Sequence, residues 1–120
     1  MPAPPPRTFT AQPDLFGKAA DITWPPAASG QEVQRLAAQL QHDLCVRFTD
    51  ALRVSKNLGR LTGYAHAIAE AGADEDDIKK AYARLGRVLR GETPMRLDDV
   101  AQAKVHFGSL LDLTGVFDKR

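Results

Sequence analysis

The chain has 120 residues and a single cysteine, Cys45, so no disulfide can close within it. A reducing compartment is the natural reading, and the expected location is cytoplasmic. No run approaches the ~18 consecutive apolar residues that a membrane helix needs, so no membrane contact is expected. The opening "MPAPPPRTFT" lacks the apolar core and cleavage pattern of a signal peptide. Charge is nearly balanced: sixteen basic against fifteen acidic residues, net +1. That excludes a chain devoted mainly to neutralising nucleic-acid phosphates and leaves room only for a local basic patch. No glycine-rich phosphate loop is present. There is also no internal repeat, no sustained heptad run and no strand alternation longer than chance.

Proline, by contrast, is concentrated. Seven of the eight prolines fall within residues 1–28. Each fixes φ and removes a donor, so this segment reads as an extended or polyproline-like arm. It also carries Phe9, Leu15, Phe16, Ile22 and Trp24, more large apolar residues than a plain disordered tail holds. Such an arm docks on something, either its own helices or a partner. Residues 20–28 are expected to pack on the helices through Ile22 and Trp24, leaving residues 9–17 open to a partner.

Residues 29–120 read as helical. Ser29 with Glu32 three residues later has the form of a capping box. Val33, Leu36, Leu40, Leu44, Phe48 and Leu52 then recur at spacings of three and four, one face of a long helix. Asn57, Gly59 and Gly63 weaken it, so the chain either kinks there or breaks. Gly72 is placed as the stop before Asp74, which caps the next helix with Glu75, Asp76 and Asp77 in its first turn. Ile78, Ala81, Tyr82, Leu85 and Leu89 make that helix's apolar face, and Gly91 ends it. Thr93-Pro94 opens the last segment, where Leu97, Val100, Ala101, Phe107, Leu110 and Leu111 form an amphipathic helix with Gly115 as its stop. The expected fold is all-α, a small antiparallel bundle of three to four helices behind a proline-rich arm.

Gln12-Pro13-Asp14-Leu15-Phe16 resembles the linear motif by which bacterial replication and repair proteins bind the sliding clamp. The resemblance implies that Leu15 and Phe16 fill an apolar cleft while Gln12 bonds at its rim. Asp14 fits the motif, and Pro13 stands where leucine is commoner. Two other stretches look like known elements. "DEDDIKKAYARL" resembles the second helix of J-domain cochaperones, but Arg90-Gly91-Glu92 stands where that family has its working His-Pro-Asp. Residues 64–85 have the outline of a helix-turn-helix, with Lys80, Arg84 and Arg87 able to touch a phosphate backbone. Four acids open its second helix, which suits phosphates badly.

A further basic row, Arg53, Lys56 and Arg60, shares one face if the first helix continues through it. No aromatics interleave with it for base stacking. Catalysis has little support. His42, His66 and His106 are scattered, two groups such as His42 and Cys45 do not make a zinc site, and Cys45 sits among apolar neighbours. No metal, cofactor or catalytic residue is expected. The sequence thus suggests a non-enzymatic, macromolecule-binding accessory protein in a bacterial or phage setting, engaging the sliding clamp through Gln12, Asp14, Leu15 and Phe16. A nucleic-acid-binding regulator, or a small subunit of a larger assembly, is the alternative.

Overall fold

The computed structural model describes residues 4–55 and 60–116. Among these, four α-helices follow one another: α1 (Glu32–Val54), α2 (Leu61–Ala67), α3 (Glu75–Leu89) and α4 (Leu97–Phe107). Three short 3-10 turns accompany them, Pro6–Phe9, Pro13–Leu15 and Gly108–Leu110, and no strand occurs among the described residues. No helix among them is long and apolar enough to cross a membrane.

The helix ends explain themselves through local chemistry, and several differ from expectation. The capping box at Ser29 does not form. Gly30, at φ 85°, turns the chain one residue later, so α1 starts at Glu32 with Gln31 as its N-cap and no side-chain cap bond. Glu32 is therefore the first helical residue rather than the third. The long helix breaks instead of kinking: Ser55 and Arg60 are both extended, with α1 finished before one and α2 begun after the other. Residues 56–59 lie outside the described residues. α2 stops at Ala67, five residues before Gly72, which instead serves a later turn at φ 89°.

α3 follows its sequence signals closely. The Asp77 N–H donates to Asp74 Oδ1 at 2.8 Å, the three acids occupy the first turn, and Gly91 leaves the helix at φ 74°. α4 begins at Leu97, three residues after Pro94, where the Arg96 N–H donates to Asp99 Oδ2 at 2.9 Å. It ends at Phe107 because Gly108 takes φ 57°. Beyond it, Arg47 donates to the carbonyls of Asp112 and Thr114, and Lys104 to those of Gly108 and Leu111. These bonds hold the last turns against the helices and keep Val116 buried.

The core gathers residues from all four helices. Phe48, Ala51 and Leu52 of α1 meet Tyr64 of α2, Leu85 of α3, Ala103 and Phe107 of α4, and Leu111. Phe48, Tyr64 and Phe107 form an aromatic triangle with centroids 4.9–5.4 Å apart. Edge-to-face and stacked rings at such separations add to the area they bury. The expected apolar faces are shifted at their ends. Val33 and Leu97 are 80% and 84% exposed, and Tyr82 and Leu110 also face outward. Val88, absent from the expected α3 face, is fully buried.

Candidate partner-docking segment

The arm is built before it meets the helices. Thr10 and Gln12 fold back on Thr23. The Thr10 hydroxyl donates to the Thr23 carbonyl at 2.7 Å, and the Ala11 N–H donates to the same oxygen at 3.0 Å. Gln12 Oε1 accepts from the Thr23 N–H at 2.8 Å and from its hydroxyl at 3.0 Å. Pro13 then begins a 3-10 turn whose fixed φ suits a first turn, closed by the Leu15 N–H on the Gln12 carbonyl. This turn sends consecutive side chains in opposite directions. Leu15 stays 42% exposed, Asp14 is exposed, and Phe16 falls to 1%.

Phe16 is the point of correction. Residues 9–17 were expected to stand open, yet this ring lies inside the protein. It meets His42 edge-on at 5.3 Å and Trp24 at 6.3 Å, and Trp24 meets His42 at 5.7 Å. Trp24 is half-buried and Ile22 buried, so the later part of the arm packs as well. Arg35 of α1 fixes that part by donating to the carbonyls of Trp24 and Pro25.

Two glycines make the approach of Phe16 feasible. Gly17 takes φ 74°, and a β-carbon there would lie 2.4 Å from the Leu89 carbonyl oxygen. Its N–H donates to His42 Nδ1 at 2.8 Å, a buried bond between arm and α1. At Gly91, also φ 74°, a β-carbon would come within 2.7 Å of the Phe16 ring and 2.9 Å of the Arg7 β-carbon. The Arg7 N–H donates to the Gly91 carbonyl at 2.9 Å. The glycine that ends α3 thus also forms one wall of the Phe16 socket. Gln41, next to His42, ties α1 to the end of α3 and the residues that follow it. Its amide donates to the carbonyls of Val88 and Thr93, and its oxygen accepts from the Met95 N–H.

The basic residues do not converge. Arg53 sits 3.5 Å from Asp50 with both side chains exposed, an ion pair of little energetic consequence. Arg60 precedes α2 and so leaves the face of Arg53, while Lys56 lies outside the described residues. On α3, Lys80 and Arg87 are exposed, but Arg84 forms a two-pronged bond with Asp99 at 2.9 and 2.6 Å. That pair ties α3 to α4, and its geometry is the strong form of an ion pair. Burial alone would raise the Asp99 carboxyl. The Arg84 bond, the Arg96 N–H and the nearby positive charges outweigh it and hold the group below the usual carboxylate range.

Cys45 is fully buried, and burial pushes its thiol far up from the ordinary value, away from the reactive thiolate. Among the described residues, no three His, Cys, Asp or Glu side chains gather at metal-binding distance. Gly17, His42, Gln41 and Gly91, far apart in the chain, come together at this site without a shared sequence motif. The available signal was a glycine directly after the Leu-Phe pair and a histidine on the apolar face of α1.

No family model, curated protein or solved structure matches this chain. Function rests on the segment's own geometry.

Proposed function

We propose that this chain is a non-enzymatic, cytoplasmic accessory factor that binds another protein by docking Leu15 and Phe16 into an apolar cleft, with Gln12 bonding at its rim and Asp14 beside them. The sliding clamp of the replication machinery is the specific candidate, and a bacterial or phage setting goes with it. In this reading the helices, arranged as an antiparallel bundle, serve as the scaffold that carries the arm.

The observation that carries the reading is the divided Leu15-Phe16 pair. Phe16 is buried, while Leu15 is left 42% exposed beside an exposed Asp14 and so stands available to a partner. Two large side chains entering one cleft contribute roughly 1.5–3 kcal/mol each. The proline turn also limits the freedom lost on docking. Burial and the raised thiol pKa at Cys45 speak against nucleophilic chemistry there.

The test is a titration of a peptide spanning residues 7–19 onto purified bacterial sliding clamp, followed by calorimetry. Binding clearly tighter than millimolar is expected, with Leu15→Ala and Phe16→Ala peptides each weaker by about tenfold or more, since ~1.4 kcal/mol is one decade. A wild-type peptide no tighter than about 1 mM, or one indifferent to both substitutions, defeats the reading.

A further inference from the structure

We propose that the socket holding Phe16 acts as a competitor of the partner's cleft, so that the protein sheathes its own docking segment and binds only through the fraction of molecules whose arm is released. This rests on the docking function proposed above and adds its regulation. Phe16 cannot serve two cavities at once, and here it is 1% exposed among His42, Trp24 and Gly91.

The catch is narrow and has identifiable parts. Gly17 and Gly91 both hold positive φ, which L side chains rarely adopt, and both stand where a β-carbon would overlap a neighbour. One buried bond from the Gly17 N–H to His42 Nδ1 joins the turn to α1, and one from the Arg7 N–H to Gly91 joins the arm to the end of α3. The bonds among Thr10, Ala11, Gln12 and Thr23 lie within the arm, so they can travel with it. Release therefore disrupts the packing of Phe16 and Trp24 on His42 and the arm–helix bonds, those from Arg35 to the Trp24 and Pro25 carbonyls included, while the helical core keeps its own contacts.

A binding-competent state populated at a fraction f weakens apparent affinity by that same fraction. The full chain is expected to bind the clamp about 10–100-fold more weakly than the residue 7–19 peptide, equivalent to roughly 1.4–2.8 kcal/mol. Substitutions at the catch and in the segment then have opposite signs. Gly91→Ala, which pushes on the Phe16 ring while leaving the segment's own sequence unchanged, tightens the full chain toward the peptide. Leu15→Ala, which leaves the socket filled, weakens both the full chain and the peptide.

Cys45 gives a readout that needs no partner. The β-carbon position of Gly17 is 3.1 Å from that of Cys45, whose thiol is fully buried and lies 3.7 Å from the Val88 carbonyl. Labelling by Ellman's reagent should accelerate about tenfold or more in Gly91→Ala, with the far-UV helical signal retained. Gly17→Ala, aimed at the Leu89 carbonyl, repeats the test on the other side of the socket. In the wild-type chain, adding clamp should itself speed labelling and shift Trp24 emission to the red. Should the full chain bind as tightly as the peptide with Cys45 still protected, the sheath is refuted while the docking function stands. Slow labelling in both glycine variants refutes it as well. If the peptide fails to bind, the docking function falls first and the sheath has no partner to exclude.

Discussion

Phe16→Ala separates a releasable arm from an integral part of the core. A phenylalanine side chain buries about 150–250 Å². At ~25 cal/mol/Å² that is a gross ~4–6 kcal/mol. The unfolded chain already hides part of this area and alanine keeps the β-carbon, so ~3–5 kcal/mol is the expected loss at the socket. The Gly91 backbone and the His42 ring frame the cavity, and backbone collapses poorly, which favours the upper end. That loss exceeds the ~1.4–2.8 kcal/mol by which a 10–100-fold sheath holds the arm. The variant arm should therefore stand undocked even without denaturant. The single tryptophan, Trp24, 6.3 Å from Phe16, reports this directly. Its emission should be red-shifted in native buffer, while the far-UV signal stays helical and its urea melt shows a loss of only ~1–3 kcal/mol of stability. Leu15→Ala, at a 42% exposed position, should cost under ~1 kcal/mol and leave Trp24 unchanged. Unaltered Trp24 emission in Phe16→Ala would falsify the socket. Complete loss of helical signal would show that the arm cannot leave without unfolding the rest.

Four further outcomes follow from the core and its polar ties. Leu85→Ala should lower stability by ~2–5 kcal/mol in urea melts, because Leu85 lies at the junction of all four helices. Gln41→Leu leaves the carbonyls of Val88 and Thr93 and the Met95 N–H without their partner; calorimetry should show a loss of ~1–3 kcal/mol, and an unchanged melting temperature would mean that solvent replaces Gln41 freely. The Asp99 carboxyl has a lowered folded pKa, so its stabilisation is present above the ordinary value near 4 and lost as pH falls through the lowered one; the wild-type stability curve should drop there and that of Asp99→Asn should be flatter. Tyr64 has its hydroxyl pushed up to about 12, first by burial and then by the Asp99 charge, so stability should fall as pH rises from about 10 toward 12, and Tyr64→Phe should remove that alkaline dependence.

What the sequence made legible was local. α3 is readable because each of its signals acts within one turn: an Asp that caps, acids against the dipole, and a glycine that leaves at positive φ. The all-helical content follows from apolar spacing in the same way. The start of α1 was misplaced because Gly30, one residue inside the presumed box, turned the backbone and changed which residue became the first of the helix. α2 ended early because Ile68 already caps it, and its last residue, Ala67, falls five residues before Gly72, the expected stop. The fate of Phe16 was beyond local rules altogether. Whether an arm residue is buried depends on a socket made by Gly17, His42 and Gly91, which come together only when the chain has folded. Composition flagged the arm as too apolar to float, but the assignment of Phe16 to the inside and Leu15 to the outside came from the turn at Pro13.

The double duty of Gly91 and the cover that Gly17 lays over Cys45 bear on how the protein can be handled as bait. Cutting away residues 1–28 looks like a clean way to ask what the arm captures. It would also strip the lid from His42, Cys45 and the end of α3, leaving a fresh greasy scar where Phe16 and Ile22 had been. Exposed apolar patches of that kind adhere to unrelated proteins and to each other. A truncated bait should therefore elute early and broadly from a sizing column and retain more background proteins than the intact chain. The informative comparison keeps the lid's length and changes one atom's worth of space at Gly91, or removes only the outward Leu15, so that a lost partner can be told apart from a gained stickiness.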